Sequence, residues 1–210
     1  GIQIADIAGG SLHAVIAILS AMIERQRSGQ GQYIDISMTD CVATLNSMAA
    51  AAVLAGETKQ YAEQSHLNGA TYYDYYQTLD GRYLSVGSLE PQFMSGLATV
   101  LELPILLEKG TSFDATDQKL VKQALQEKIK TKTFTEWSSI FAELDVCVEP
   151  VLHLDEALTS PLAKQRQWVV DVPLAEESAQ TELQLACPIK FSRSKMSYKH
   201  IGKKLGEDSF

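Results

Sequence analysis

The chain opens with Gly1-Ile-Gln-Ile-Ala-Asp6-Ile-Ala-Gly9-Gly10 and runs into an uncharged apolar stretch from Leu12 to Ile23. Leu12, Val15, Ile16, Leu19, Met22 and Ile23 recur at helical spacing, which predicts a helix from Gly10 to about Arg27. Ala14, Ala17, Ser20 and Ala21 fall on its other face and are small enough to let a second element approach closely. Asp6 then stands beside the amino end of a buried helix, where free N–H groups and the helix dipole favour negative charge. Gly9 and Gly10 lack the side chains that would hold another molecule's atoms away from the backbone. A carboxylate so placed either caps the helix or meets a substrate. The local pattern leaves both roles open.

Working outward, 210 residues at 45% hydrophobic content suffice for one large or two small cores. A formal net charge of −8 argues against nucleic acid or an anionic membrane as the main partner. Cys41, Cys147 and Cys187 are far apart and lack metal-type spacing, so they read as reduced core thiols of a cytoplasmic protein with no metal site. The apolar run lacks the basic leader and cleavage site of a signal peptide. Glu24 and Arg25 follow too soon for that run to span a bilayer.

The rest alternates helical and strand patterns, giving a mixed, helix-rich α/β class. Ser28-Gly-Gln-Gly31 ends the first helix, Tyr33 to Ile36 reads as a short strand, and a second helix runs from near Ser37 or Thr39 to Gly56. Residues 57–70 are polar and irregular, a crossing between a first part (1–56) and a small α/β domain (71–151). Within the latter, Tyr72 to Thr78 and Arg82 to Val86 form a hairpin through Leu79-Asp80-Gly81. Tyr72, Tyr73, Tyr75 and Tyr76 would place aromatics on both faces of a sheet packed on both sides. Glu90-Pro91 opens a helix, Thr116 to Lys130 and Thr133 to Leu144 form two more, and the last carries the capping box Thr133-x-x-Glu136. Asp145 to Val151 reads as a strand, and 152–210 holds helical turns around Pro161, two strands (Trp168 to Val172, Glu182 to Ile189) and a basic tail.

Several stretches together resemble a known family. Asp6-Ile-Ala-Gly-Gly, Glu24-Arg-Gln-Arg-Ser-Gly-Gln-Gly-Gln-Tyr-Ile-Asp-Ile-Ser-Met-Thr-Asp40, Tyr72-Tyr-Asp-Tyr-Tyr and Val86-Gly-Ser-Leu-Glu-Pro-Gln-Phe93 are similar to family III CoA-transferases. This superfamily includes carnitine and formyl-CoA transferases and α-methylacyl-CoA racemases, and the racemase branch is the nearer likeness. Glu149-Pro-Val-Leu-His-Leu-Asp-Glu-Ala-Leu158 and Leu205-Gly-Glu-Asp208 resemble the family's closing segments. The resemblance implies part of a large Rossmann-like domain plus the small α/β domain, in a longer enzyme that forms an interlocked homodimer.

It also implies a chemistry. Inverting carbon 2 of a 2-methylacyl-CoA thioester needs two bases on opposite faces. By resemblance Asp6 is one of them and a histidine upstream of this chain is the other. None of His13, His66, His153 or His200 stands in the family's histidine motif, and His13 reads as a packed or hydrogen-bonded residue. Glu90 resembles the acid that holds the histidine in place; read locally, it is an N-cap before Pro91. Tyr73 would hydrogen-bond near the site, Met38 would lie under the acyl chain, and Gly9 and Gly10 would admit the substrate. Coenzyme A enters as part of the substrate, with no other cofactor. The alternative is a transferase in which Asp6 is the nucleophile and forms an aspartyl-CoA thioester. Alone, the 210-residue chain is expected to be inactive.

Overall fold

The computed structural model describes residues 2–56, 65–176, 178–202 and Gly206. The chain divides into two units, Gly1–Ala70 and Thr71–Phe210. Leu205 and residues 207–208 of the closing motif, and residues 57–64 of the crossing, lie outside the described residues.

In the first unit a π-helical segment, Ile4–Leu12, runs directly into α1, His13–Ser28. The helix therefore starts at Ile4 rather than Gly10, and Asp6 lies within its first turn instead of ahead of it. Two side chains answer the wide turn: Ser11 Oγ donates to the Asp6 carbonyl at 3.1 Å, and His13 Nδ1 stands 2.7 Å from the Ala8 carbonyl. His13 is thus hydrogen-bonded locally, as its position suggested. Gly29, at φ 74°, closes α1 with its N–H on the Arg25 carbonyl.

Four expectations for this unit change. The early start makes Ile4–Ser28 a helical stretch of 25 residues, long and apolar enough by length and composition to cross a membrane. The helix is not buried: Val15, Ile16, Leu19, Met22 and Ile23 are each more than half exposed, because no described element covers them. Tyr33 to Ile36 forms no strand, since no described backbone pairs with it. The second helix is two, α2 (Met38–Leu45) and α3 (Ser47–Leu54), broken at Asn46. Ser37 caps α2 by accepting the Asp40 N–H at 3.3 Å.

The second unit is built on an antiparallel sheet of β1 (Asp74–Gln77), β2 (Tyr83–Val86) and β3 (Val148–Pro150), in that order. The Asp80-Gly81 turn forms as its sequence requires, with Gly81 at φ 80°. Asp80 accepts from the Thr78 hydroxyl at 2.6 Å and from the Phe134 N–H at 2.9 Å. The Thr78 bond first, and then the Phe134 amide, hold its carboxyl below the usual carboxylate range.

Helices α4 (Pro91–Leu101), α5 (Ile105–Lys109), α6 (Ala115–Ile129) and α7 (Phe134–Phe141) follow β2. Asp114 caps α6, and the Thr133/Glu136 capping box forms at α7. The core gathers Tyr72, Tyr76, Leu84 and Val86 from the sheet region with Leu97, Leu101, Val121, Leu125, Ile129 and Trp137 from the helices. Only one side of the sheet is packed in this way. Tyr72 and Tyr76 are buried, whereas Tyr73 is 37% and Tyr75 64% exposed, so the expectation of packing on both faces fails. Alternation along a strand sends neighbours to opposite faces, and no described helix covers the outer one.

Beyond β3 come α8 (Leu154–Thr159), α9 (Pro161–Arg166) and the hairpin of β4 (Val169–Pro173) with β5 (Thr181–Leu185). Arg82 ties β2 to α8 through a 2.7 Å ion pair with Glu156 and lies 3.9 Å over the Phe134 ring. The three cysteines are free but not core thiols: Cys147 is exposed and the other two are half-buried.

Candidate functional site

The residues singled out from sequence fall into two groups, one in each unit. In the first unit, Asp6, Gly9, Gly10 and Met38 come from the π-helical segment and the first residue of α2. Asp6 is exposed, and its carboxylate makes no hydrogen bond with a described residue. Gln3, not Asp6, occupies the N-cap position, so the capping role is not taken up. The glycines do admit a close neighbour, but that neighbour is α2. A Cβ on Gly9 would stand 2.8 Å from Val42 Cγ2 and 3.3 Å from the Met38 carbonyl. One on Gly10 would stand 3.2 Å from Met38 Cγ. Gly10 and Met38 are therefore brought together, with the thioether laid along the glycine and half its surface still open.

In the second unit the candidate residues lie at one end of the three-stranded sheet. Asp74 pairs with Val86, and Val86 pairs with Val148. Tyr73, Gly87 and Cys147, the residues just outside those pairs, therefore share one end of the sheet. The Gly87 N–H donates to the Cys147 carbonyl at 2.9 Å, and a Cβ on Gly87 would stand 3.2 Å from Tyr73 Cε2. Only a glycine there lets the tyrosine ring lie this close to the backbone.

Glu90 follows three residues later as the N-cap residue of α4. Its backbone carbonyl accepts the Met94 N–H at 2.9 Å, but its side chain makes no capping bond. The exposed carboxylate is thus not occupied by its own helix. Its charge is felt nearby: partial desolvation of the sulfur first, although the residue as a whole is exposed, then Glu90, Asp145 and Glu149, push the Cys147 thiol upward. Burial and then Glu90 also push Tyr72 up to about 12.

Reading the sequence missed Ser88 and Cys147 here. Ser88 lies inside the Gly-Ser-Leu-Glu-Pro motif, so its position carried a signal. Cys147 carried none, because its left-handed backbone (φ 51°) is set by its place at the sheet end. Elsewhere in this unit a cavity of about 410 Å³ is lined by Leu158, Arg166, Trp168, Leu185, Cys187 and Lys190 among others. Neither Tyr73 nor Glu90 is among its lining residues. Among the described residues no group of three or more His, Cys, Asp or Glu could hold a metal ion.

Comparison with known proteins gives the chain its context. The model of CoA-transferase family III matches residues 1–209. An alpha-methylacyl-CoA racemase of Mus musculus is 38% identical over 156 residues, 74% of this chain and 41% of that protein. The Homo sapiens alpha-methylacyl-CoA racemase is 34% identical over 164 residues, 78% of this chain and 43% of that protein. The crystal structure of a CAIB/BAIF family protein from Brucella suis superposes with a TM-score of 0.73 at 24% identity, over 99% of this chain and 53% of that one. The chain spans about half the length of the relatives it matches.

Proposed function

This chain belongs to CoA-transferase family III, and from that premise we propose that the whole protein carrying it inverts carbon 2 of 2-methylacyl-CoA thioesters. The observation that carries this reading is the likeness to two racemases across about three-quarters of the chain. It is supported by Asp6, an exposed carboxylate in a helix's first turn that its own helix does not use as a cap.

In the proposed reaction the Asp6 carboxylate takes the proton from carbon 2. The electron pair of the broken C–H bond moves into the thioester, giving an enolate. A second base, which the family resemblance assigns to a histidine upstream of this chain, then delivers a proton to the opposite face. Running backwards, the two groups exchange roles. Glu90 orients that partner base, Tyr73 donates to the substrate or its neighbour, and the half-open Met38 receives the acyl chain, with Gly9 and Gly10 serving it by letting α2 approach. A flexible thioether suits apolar chains of varying shape. Coenzyme A is the substrate's carrier. The working form is an interlocked homodimer, and the free, widely spaced cysteines support a cytoplasmic setting.

Because inversion needs two bases, the 210-residue chain alone is proposed to be inactive. Incubating the whole protein with a 2-methylacyl-CoA in deuterated water tests the reading: deuterium enters carbon 2, and Asp6→Ala abolishes it. Full exchange by that variant overturns it.

A second reading keeps the fold and changes the step, and the transferases within the family favour it. There Asp6 attacks the thioester carbonyl and expels the CoA thiolate, leaving a mixed anhydride. The thiolate then attacks the Asp6 acyl carbon, giving an aspartyl-CoA thioester and releasing the first acid, and a second acid takes up the CoA by the same two steps in reverse. An adduct on Asp6 that hydroxylamine removes, without carbon-2 exchange, would select this reading.

A further inference from the structure

Three hydroxyls form a chain through the core directly beneath the residues that carry Glu90. Tyr76 donates to the Tyr72 carbonyl at 2.8 Å, Tyr72 donates to the Ser88 carbonyl, and Ser88 Oγ donates to the Val146 carbonyl. Tyr72 and Ser88 are fully buried and Tyr76 nearly so. Tyr72 is held at its third polar group as well, since its N–H donates to Gln118 Oε1 at 2.9 Å. The segment 87–89 is thereby fastened from both sides. The Ser88 carbonyl is gripped by Tyr72, and the Ser88 hydroxyl grips the residue before Cys147. The Gly87 amide grips Cys147 itself, and the Leu89 N–H closes back on the Gly87 carbonyl at 2.9 Å. One residue further on, the Glu90 side chain has no capping bond to hold it.

Each acceptor in this chain is a backbone carbonyl, so the bonds also serve stability: deleting a hydroxyl leaves a buried acceptor unpaired. What a fully satisfied buried network adds is a unique geometry. Here that geometry fixes where α4 begins and where its N-cap residue emerges, three residues beyond Gly87, at whose backbone Tyr73 and Cys147 meet.

We propose that Tyr72 and Ser88 are positioning residues for Glu90, clamping the segment 87–89 so that the backbone from which its side chain projects is held in one place. This rests on the carbon-2 proton transfer proposed above. A shift on the order of 1 Å in a positioning group costs as much as a hundredfold in rate, so the effect belongs in kcat and not in substrate binding.

The test uses the whole protein and three measurements: carbon-2 deuterium exchange kinetics, KM and thermal midpoint. Tyr72→Phe and Ser88→Ala are expected to lower kcat by about tenfold or more, with KM changed less than about twofold. Each is also expected to add nothing to the loss caused by Glu90→Gln, because residues acting as one unit are non-additive. Trp137→Phe, a core change remote from the motif, lowers the midpoint without that loss of kcat. Ser88→Thr, which keeps the hydroxyl, restores most of the rate if Ser88→Ala folds poorly. Retention of kcat in both hydroxyl-deleted variants overturns the proposal, as does full multiplication of their effects with Glu90→Gln. Absence of exchange in the unsubstituted protein instead overturns the parent reading, and this one with it.

Discussion

Gly9 lies against Val42 so closely that a Cβ on the glycine would stand 2.8 Å from Val42 Cγ2. Gly9 is also the buried residue of the π-helical segment that carries Asp6. That contact sets how the segment and α2 meet, and with them Asp6 and Met38. Gly9→Ala is expected to destabilise the first unit by about 1–3 kcal/mol, the usual cost of overpacking. Val42→Ala in the same chain should restore most of the loss. Thermal unfolding of the single and double variants, followed by circular dichroism, checks this.

Trp137 is 1% exposed, stacks on Phe141 at 5.5 Å and donates its indole N–H to the Ile129 carbonyl at 2.7 Å. Trp137→Ala should cost about 3–5 kcal/mol in urea unfolding. Trp137→Phe keeps most of the ring but leaves the carbonyl without its donor, so a loss of about 1–3 kcal/mol is expected.

Stability should fall at alkaline pH. Burial, and then Glu90, push Tyr72 from 10.0 up to about 12; burial, then Asp74 and Tyr72, push Tyr76 up further. The fold thus keeps both phenols neutral after an unfolded chain would ionise them. Below pH 10 this contributes its full stability, and between 10 and 12 that contribution is lost. Urea midpoints at pH 9 and 11 should differ accordingly. Phenolate absorbance should report Tyr72 and Tyr76 as late-titrating.

Glu156 is held below its ordinary 4.5 by the Arg82 hydrogen bond first, then by the His153 amide. A depressed carboxyl contributes stability above its unfolded value and loses it as pH falls through the folded one. Arg82→Gln should move the Glu156 titration back up toward 4.5 in a carboxyl-detected NMR titration. No movement would show that the ion pair is not formed in solution.

The helical stretch Ile4–Ser28 leaves its large apolar residues half exposed, and a contiguous surface of that kind drives association. The isolated 210-residue chain should therefore self-associate in sedimentation experiments. Ile16→Lys with Leu19→Lys should reduce that association. A well-behaved monomer at high concentration would contradict this.

Much of the architecture was legible residue by residue. Thr133 and Glu136 announced their helix because both bonds of a capping box join groups three residues apart. Asp80-Gly81 announced its turn, and Glu90-Pro91 the start of α4, for the same reason: the signal and the structure it causes lie within one turn of chain. The motifs around Asp6 and Glu90 carried the family, which the match over residues 1–209 bears out.

What only the tertiary structure decided lies further apart along the chain. Four neighbouring tyrosines look alike in sequence, yet Tyr72 and Tyr76 became core hydroxyl donors while Tyr73 and Tyr75 face outward. Helices on a single side of the sheet made that choice. Ser88 reaches Val146 across 58 positions, and Gly10 meets a methionine on the following helix. Local bonds depend on which residues are adjacent. Burial and long-range hydrogen bonds depend on which surfaces finally face one another, and no short stretch of chain contains that information.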